Sequence, residues 1–178
     1  MKPLPFSSFS PQERIKIAVA TLGGVGFTPK IPGTVGSLLA LVPILLLVSV
    51  GNDYNTAFIL GVGIVLSLLL GLWSVPVMEA HWGNDPGCVV IDELLGMWTV
   101  LLFTVLIPIF SPSLPQLMMW MMVGFVLFRF FDITKPFPIS WLNEQKGAFF
   151  VMIDDVLAAI YASGGLFFIW LTWQQFEK

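Results

Sequence analysis

The stretch FFVMIDDVLAAIYA, residues 149–162, places two adjacent aspartates inside a run that otherwise reads as membrane-embedded. An aspartate at mid-bilayer costs roughly 2.5–3.5 kcal/mol on insertion-based scales, so Asp154 and Asp155 call for a chemical reason. Three further acids stand in comparable settings: Asp92 and Glu93 in DPGCVVIDELLGMW (85–98), and Asp132 in FRFFDITKPFPISW (128–141). Hard carboxylate oxygens of this kind suit Mg²⁺, which is usually held by one or two carboxylates plus waters and substrate phosphate oxygens. Neighbouring helical residues point about 100° apart, so each acidic pair is expected to send one member straight into a metal site. The other member is then free to orient water or to bind from behind. Capped helix ends carrying neutralised or ion-paired acids are the plainer explanation for any single pair, and a weaker one for three acidic positions at one level.

Cations accompany the acids. Arg129 and Asp132 are spaced i, i+3 and share a helix face, which allows either a structural ion pair with a snorkelling arginine or a phosphate clamp beside a metal ligand. Lys135, followed by Pro136 and Pro138, ends that helix rigidly and is placed to meet phosphate or anionic headgroups. In TPKIPGTVGS (28–37), Lys30 precedes Gly33, Thr34, Gly36 and Ser37 at a helix entrance. Free amides there make an anion site and glycine admits a phosphate to the backbone, although no Gly-Lys-Ser/Thr of a Walker loop follows. His81, the lone histidine, reads as a loop or interface residue and not as a nucleophile.

These residues need a scaffold, and the composition names it. The 178-residue chain is 57% hydrophobic and 11% charged, with a net charge of −3, against about 25% charged in ordinary soluble domains. Apolar runs approaching twenty residues recur, so the chain is expected to be an all-α, polytopic membrane helix bundle forming one domain over 1–178. Five spans are expected, at approximately 34–50, 57–77, 89–110, 117–131 and 149–171, with the fourth short for a span or starting earlier. Residues 1–33 form an N-terminal arm and interfacial segment, and 34–171 the bundle. Within the arm, SPQE supplies a capping box, with Ser10 as N-cap, Pro11 at the first helical position and Glu13 at the third. A short interfacial or re-entrant helix follows to about Leu22. The turn-rich connections 51–55 and 111–116 hold no Lys or Arg. Seven of the eight basic residues fall on the other side, and only Lys178 lies opposite. That bias predicts a cytoplasmic N-terminus and puts all five acids on the cytoplasmic face, just beneath the headgroups. Asp154, five residues beyond Phe149, lies about 7–8 Å along the helix. Ala57 and Gly61 have the small-xxx-small spacing of close helix packing, and LMMWMMVGFVLF (117–128) reads as lipid-facing and packing surface. The lone Cys88 excludes an internal disulfide and a cysteine-based metal site. No basic block points to nucleic acid.

The four stretches together resemble the phosphatidylglycerophosphatase A family of small bacterial integral-membrane lipid phosphatases. P-x-x-PGTxGSL, D-P-x-x-x-V-I-D-E-x-x-G-M-W, F-R-x-F-D-x-x-K-P-x-P-I and M-x-DD-x-x-A occur in the family's order between about Gly24 and Leu166. The resemblance implies Mg²⁺-dependent hydrolysis of the terminal phosphomonoester of phosphatidylglycerophosphate, giving phosphatidylglycerol and inorganic phosphate at the cytoplasmic face of the bacterial inner membrane. It carries Asp92, Glu93, Asp132, Asp154 and Asp155 over as the acidic catalytic and metal-binding centre. Arg129 and Lys135 become phosphate contacts, with Lys30 and Thr34 added from the helix entrance.

Absences agree. The chain lacks the second histidine of His-based lipid phosphatases, the D-x-D-x-T of phospho-aspartyl enzymes, the DGxxAR of CDP-alcohol phosphotransferases and the C-x₅-R of cysteine phosphatases. Attack by water and attack by an aspartate both remain compatible with the five acids, and the number of metal ions is open. Two other classes compete: a small cation- or proton-coupled transporter, whose acids would be relay sites, and a non-catalytic membrane subunit whose charged face docks a partner. Transporter sites tend to sit at the midplane between repeats, whereas these acids gather at one edge and no internal repeat is visible.

Overall fold

The computed structural model describes residues 8–50, 53–106 and 114–176. Among these residues there are seven α-helices, one 3₁₀ turn and no strand: α1 (Pro11–Ala20), the turn Val25–Phe27, α2 (Pro32–Val50), α3 (Asp53–Trp82), α4 (Ile91–Leu106), α5 (Leu114–Thr134), α6 (Ile139–Asn143) and α7 (Ala148–Phe176). The five expected spans correspond to α2, α3, α4, α5 and α7. Among the described residues three helices are long and apolar enough to cross a membrane: Asn55–Trp82, Pro115–Thr134 and Ala148–Phe176. The apolar helix Pro32–Leu47 is shorter, and the 16 described residues of α4 reach about 24 Å. The fourth span begins earlier than 117, which brings it to 21 residues. Much of the 111–116 connection lies outside the described residues, as do Gly51 and Asn52 of the 51–55 connection.

α4 is the central helix, packed against α2, α3, α5 and α7. Ile91, Asp92, Leu95, Gly96, Met97, Val100, Leu101 and Thr104 are all buried along it. One core joins Ala40, Leu41 and Ile44 of α2 to Met97 and Leu101 of α4, Phe128 of α5, and Ala158, Ala159 and Ala162 of α7. Small side chains on α7 let its backbone approach its neighbours, the usual basis of helix association where lipid gives no hydrophobic drive. The Ala57/Gly61 spacing does not play this part within the chain, because a side chain added at Gly61 would meet open space. Gly63 does: its missing Cβ would lie 2.3 Å from the Trp98 ring of α4. Two residues along a helix turn the face by about 200°, and spacing alone does not say which face is inward. Phe58, Val65 and Leu69 of α3 and Phe168 of α7 point outward, as a lipid-facing surface requires. Met118, Met119 and Met122 of α5 do likewise, whereas Trp120, Met121 and Phe128 pack inward.

The capping box forms as expected. Ser10 Oγ accepts the Glu13 amide at 3.3 Å and the Ser10 amide donates to Glu13 Oε2 at 2.9 Å. α1 stops at Ala20 and packs Ile17 and Ala20 on Val75 and Met78 of α3. His81 sits in the last turn of α3 and meets Glu13 Oε1 at 3.0 Å, which makes it an interface residue. Hydrogen bonds from Ser10 and His81 hold the Glu13 carboxyl down to about 2.

Candidate functional site

Four helix ends converge at one edge of the bundle. The first turn of α4 delivers Asp92 and Glu93, the last two turns of α5 deliver Arg129 and Asp132, and Lys135 follows at once. Asp154 and Asp155 come from the second turn of α7, and Gly33 and Ser37 from the start of α2. Asp92, Asp132, Asp154 and Asp155 are all buried. Asp92 and Glu93 lie in the first turn of α4, where the dipole favours negative charge, whereas Asp154 and Asp155 stand a turn further into α7. In both pairs the first acid also accepts the amide of the second: Asp92 Oδ1 from Glu93 and Asp154 Oδ1 from Asp155, each at 3.0 Å.

The five acids divide into two groups. Asp92, Glu93 and Asp155 each offer a carboxylate oxygen, and these oxygens all lie within 4.8 Å of one another. Asp132 and Asp154 face cations instead. Arg129 Nη1 lies 2.8 Å from Asp132 Oδ2 and 3.8 Å from Glu93 Oε1, and donates to Ser37 Oγ at 3.5 Å. Lys135 Nζ lies 2.6 Å from Asp154 Oδ2 and 4.0 Å from Asp132 Oδ1, and also donates to Asn143 Oδ1. Arg129 therefore points inward and does not snorkel; its side chain is only 15% exposed. The expectation of one inward member per pair holds for Asp154/Asp155, which part company. It fails for Asp92/Glu93, both of which reach the cluster because the longer Glu side chain can fold back over its neighbour.

Two expected phosphate contacts sit at the entrance of α2. Lys30 is exposed and forms no ion pair among the described residues, and Thr34 is half-buried in the first turn of α2. Gly33 is closer than its type suggests: a Cβ there would stand 2.1 Å from Glu93 Oε1 and 3.1 Å from both terminal nitrogens of Arg129. Asn143, at the end of α6, is a site neighbour that sequence reasoning missed. A neutral amide in the polar stretch SWLNEQKG carries no burial cost to flag it. Lys30, Asp85 and Lys135 are non-glycine residues at positive φ (79°, 46° and 40°), so strained backbone gathers in the loops around the site.

The donor set fits Mg²⁺. Three hard oxygens converge, and Glu93 Oε2 and Asp155 Oδ2 are buried without a hydrogen-bond partner, each a lone pair with nothing to hold. Five carboxyls facing two cations leave a negative surplus that a divalent ion would offset.

A family model described as Phosphatidylglycerophosphatase A matches residues 18–170. A putative phosphatidylinositol-3-phosphatase of Bacteroides thetaiotaomicron is 35% identical over 152 residues, covering 83% of this chain and 89% of the relative. A phosphatidylglycerophosphatase A of Escherichia coli is 34% identical over 152 residues, covering 84% and 80%. One of Haemophilus influenzae is 40% identical over 143 residues, covering 78% of each. No solved structure matches.

Proposed function

The chain belongs to the phosphatidylglycerophosphatase A family of phosphatases, and we propose that it hydrolyses the terminal phosphomonoester of phosphatidylglycerophosphate, with Mg²⁺, at the cytoplasmic face of the bacterial inner membrane. The observation that carries this reading is the cluster of Asp92, Glu93 and Asp155 oxygens beside Arg129 and Lys135, at one edge of the bundle. A phosphomonoester needs partners for its charge, a positioned water and little else, because phosphoryl transfer is mostly positioning and electrostatic stabilisation.

Asp92, Glu93 and Asp155 would hold the metal, which when bound neutralises charge on the phosphate oxygens. Arg129 is fixed by Asp132 and keeps its buried Nε without a partner, so a donor remains for a phosphate oxygen. Lys135, held between Asp154 and Asn143, adds positive charge to the same edge. As the water oxygen bonds to phosphorus a carboxylate takes its proton, the bond from phosphorus to the glycerol oxygen breaks, and the carboxylate returns the proton to that oxygen, which leaves as the alcohol beside inorganic phosphate.

The relative named for phosphatidylinositol 3-phosphate favours a second lipid substrate. Its headgroup and that of phosphatidylglycerophosphate share one pattern, a phosphomonoester three carbons from a phosphodiester. Phosphate release from detergent-purified protein, with each lipid and with or without Mg²⁺, tests both readings. Release that ignores Mg²⁺ sinks the metal assignment, and no release from either lipid returns the transporter and docking-subunit readings. The cytoplasmic orientation rests on the Lys/Arg distribution. Cysteines introduced at Asn52 or Ser113, both outside the described residues, should react with an impermeant reagent from outside once Cys88 is replaced.

A further inference from the structure

A recess of about 540 Å³ lies between the segment before α2 and the segment before α4, lined by Gly26, Phe27, Thr28, Lys30, Trp82 and Cys88 among others. Its two walls are in direct contact, since a Cβ on Gly26 would sit 1.8 Å from the Cys88 carbonyl oxygen. Both walls lead straight into the candidate centre: one continues into Gly33 and Ser37, the other into Asp92 and Glu93. Pro29 and Pro32 bracket Lys30 and stiffen the first wall. Lys30 itself is held at φ 79°, a conformation non-glycine residues seldom adopt. Unlike Arg129 and Lys135, which are committed to carboxylates, it meets no acid among the described residues.

We propose that this recess binds the phosphodiester of the lipid headgroup, with Lys30 as its cation, while the acidic centre takes the phosphomonoester. The proposal rests on the phosphatase reading above and adds a specificity site to it. Lys30 stands three residues before Gly33, whose backbone abuts Glu93 and Arg129, and three residues of chain span at most about 10–11 Å. One three-carbon unit separates the two phosphorus groups of phosphatidylglycerophosphate. A monoester seated beside Arg129 therefore leaves its diester within reach of residue 30. The rings of Phe27 and Trp82, 6.3 Å apart, give the intervening carbons an apolar wall. A flexible lysine suits this role, because it needs to offset one negative charge and not to grip two oxygens in a plane.

The test compares phosphatidylglycerophosphate with phosphatidate, a lipid phosphomonoester that has no phosphodiester, in mixed micelles with matched acyl chains. In Lys30→Gln the ratio of the two kcat/KM values should fall tenfold or more, through KM for phosphatidylglycerophosphate, and Lys30→Arg should restore most of it. An unchanged ratio overturns the proposal, whether both activities survive or both fall together. A second arm does not depend on turnover: calorimetry with short-chain phosphatidylglycerol, which keeps the diester and lacks the monoester. Binding should weaken about tenfold in Lys30→Gln, and equal binding by the two proteins overturns the proposal. Wild-type protein that cleaves neither phosphorylated lipid refutes the phosphatidylglycerophosphate reading alone, because the calorimetric arm still decides the recess.

Discussion

Lys135 Nζ lies 2.6 Å from Asp154 Oδ2 and thereby ties the end of α5 to the second turn of α7. Burial opposes the lysine's charge, but Asp154 beside it prevails and raises its pKa above the ordinary lysine value. A raised pKa gives stability that is fully present below the unfolded value and lost as pH rises through the folded one, so the lysine keeps its charge across the neutral range. We predict that Lys135→Met lowers stability by about 3 kcal/mol, the low end for breaking a buried pair, since the lysine is a quarter exposed. Lys135→Met combined with Asp154→Asn should recover part of the loss. Thermal melts in detergent decide it, and a double variant no more stable than Lys135→Met would mean the pair is not coupled.

Gly33→Ala tests how closely α2 must approach the centre. The added methyl would stand 2.1 Å from Glu93 Oε1, so the carboxylate or the helix start must move. A displacement of about 1 Å can cost 10²-fold in rate. The expected outcome is a kcat drop of that order with a melting temperature within a few degrees of wild type. Full activity would show that Glu93 has room to spare.

Arg129→Lys separates charge from shape. Arg129 reaches Asp132, Glu93 and Ser37 through Nη1 alone and leaves Nε, another nitrogen of its planar fork, without a partner. An ammonium keeps the charge but cannot fill the same fork. Activity should fall by about two orders of magnitude, as for the loss of a key electrostatic donor. Near-normal rates in this variant would reduce Arg129 to a structural partner of Asp132.

The site was legible where a residue type is expensive. Acids in an apolar run announce themselves by their cost, and Asp92, Glu93, Asp132, Asp154 and Asp155 do meet at one edge, with Arg129 and Lys135 among them. The helices were legible for the same reason, since long apolar runs have few other uses. Direction within a helix was not. Gly63 and not Gly61 meets α4, and both Asp92 and Glu93 turn inward, because spacing fixes neighbours on a face but not what the face meets. Asn143 was invisible because a neutral amide at the end of a short helix is unremarkable in sequence. Lys30 reads in sequence as a phosphate contact because a helix entrance attracts anions. It lines the recess between the segments before α2 and α4.

The adjacent aspartates make the sharpest test, because the structure gives them different partners. Asp155 shares its oxygens with Asp92 and Glu93 and keeps Oδ2 buried and unpartnered, whereas Asp154 is taken by Lys135. If Mg²⁺ sits among Asp92, Glu93 and Asp155, then Asp155→Asn removes a ligand and Asp154→Asn removes a counter-ion. Asp155→Asn should raise the Mg²⁺ concentration needed for half-maximal rate and lower kcat by two or more orders of magnitude. A ligand that binds only the folded state raises its melting temperature, so Mg²⁺ should stabilise the wild type and lose that effect in Asp155→Asn. Asp154→Asn should melt earlier than wild type without Mg²⁺, because Lys135 loses its partner, and should still gain stability when the ion is added. A Mg²⁺ requirement that shifts in Asp154→Asn and not in Asp155→Asn would move the metal to the Lys135 side and leave Asp92 and Glu93 without their third ligand.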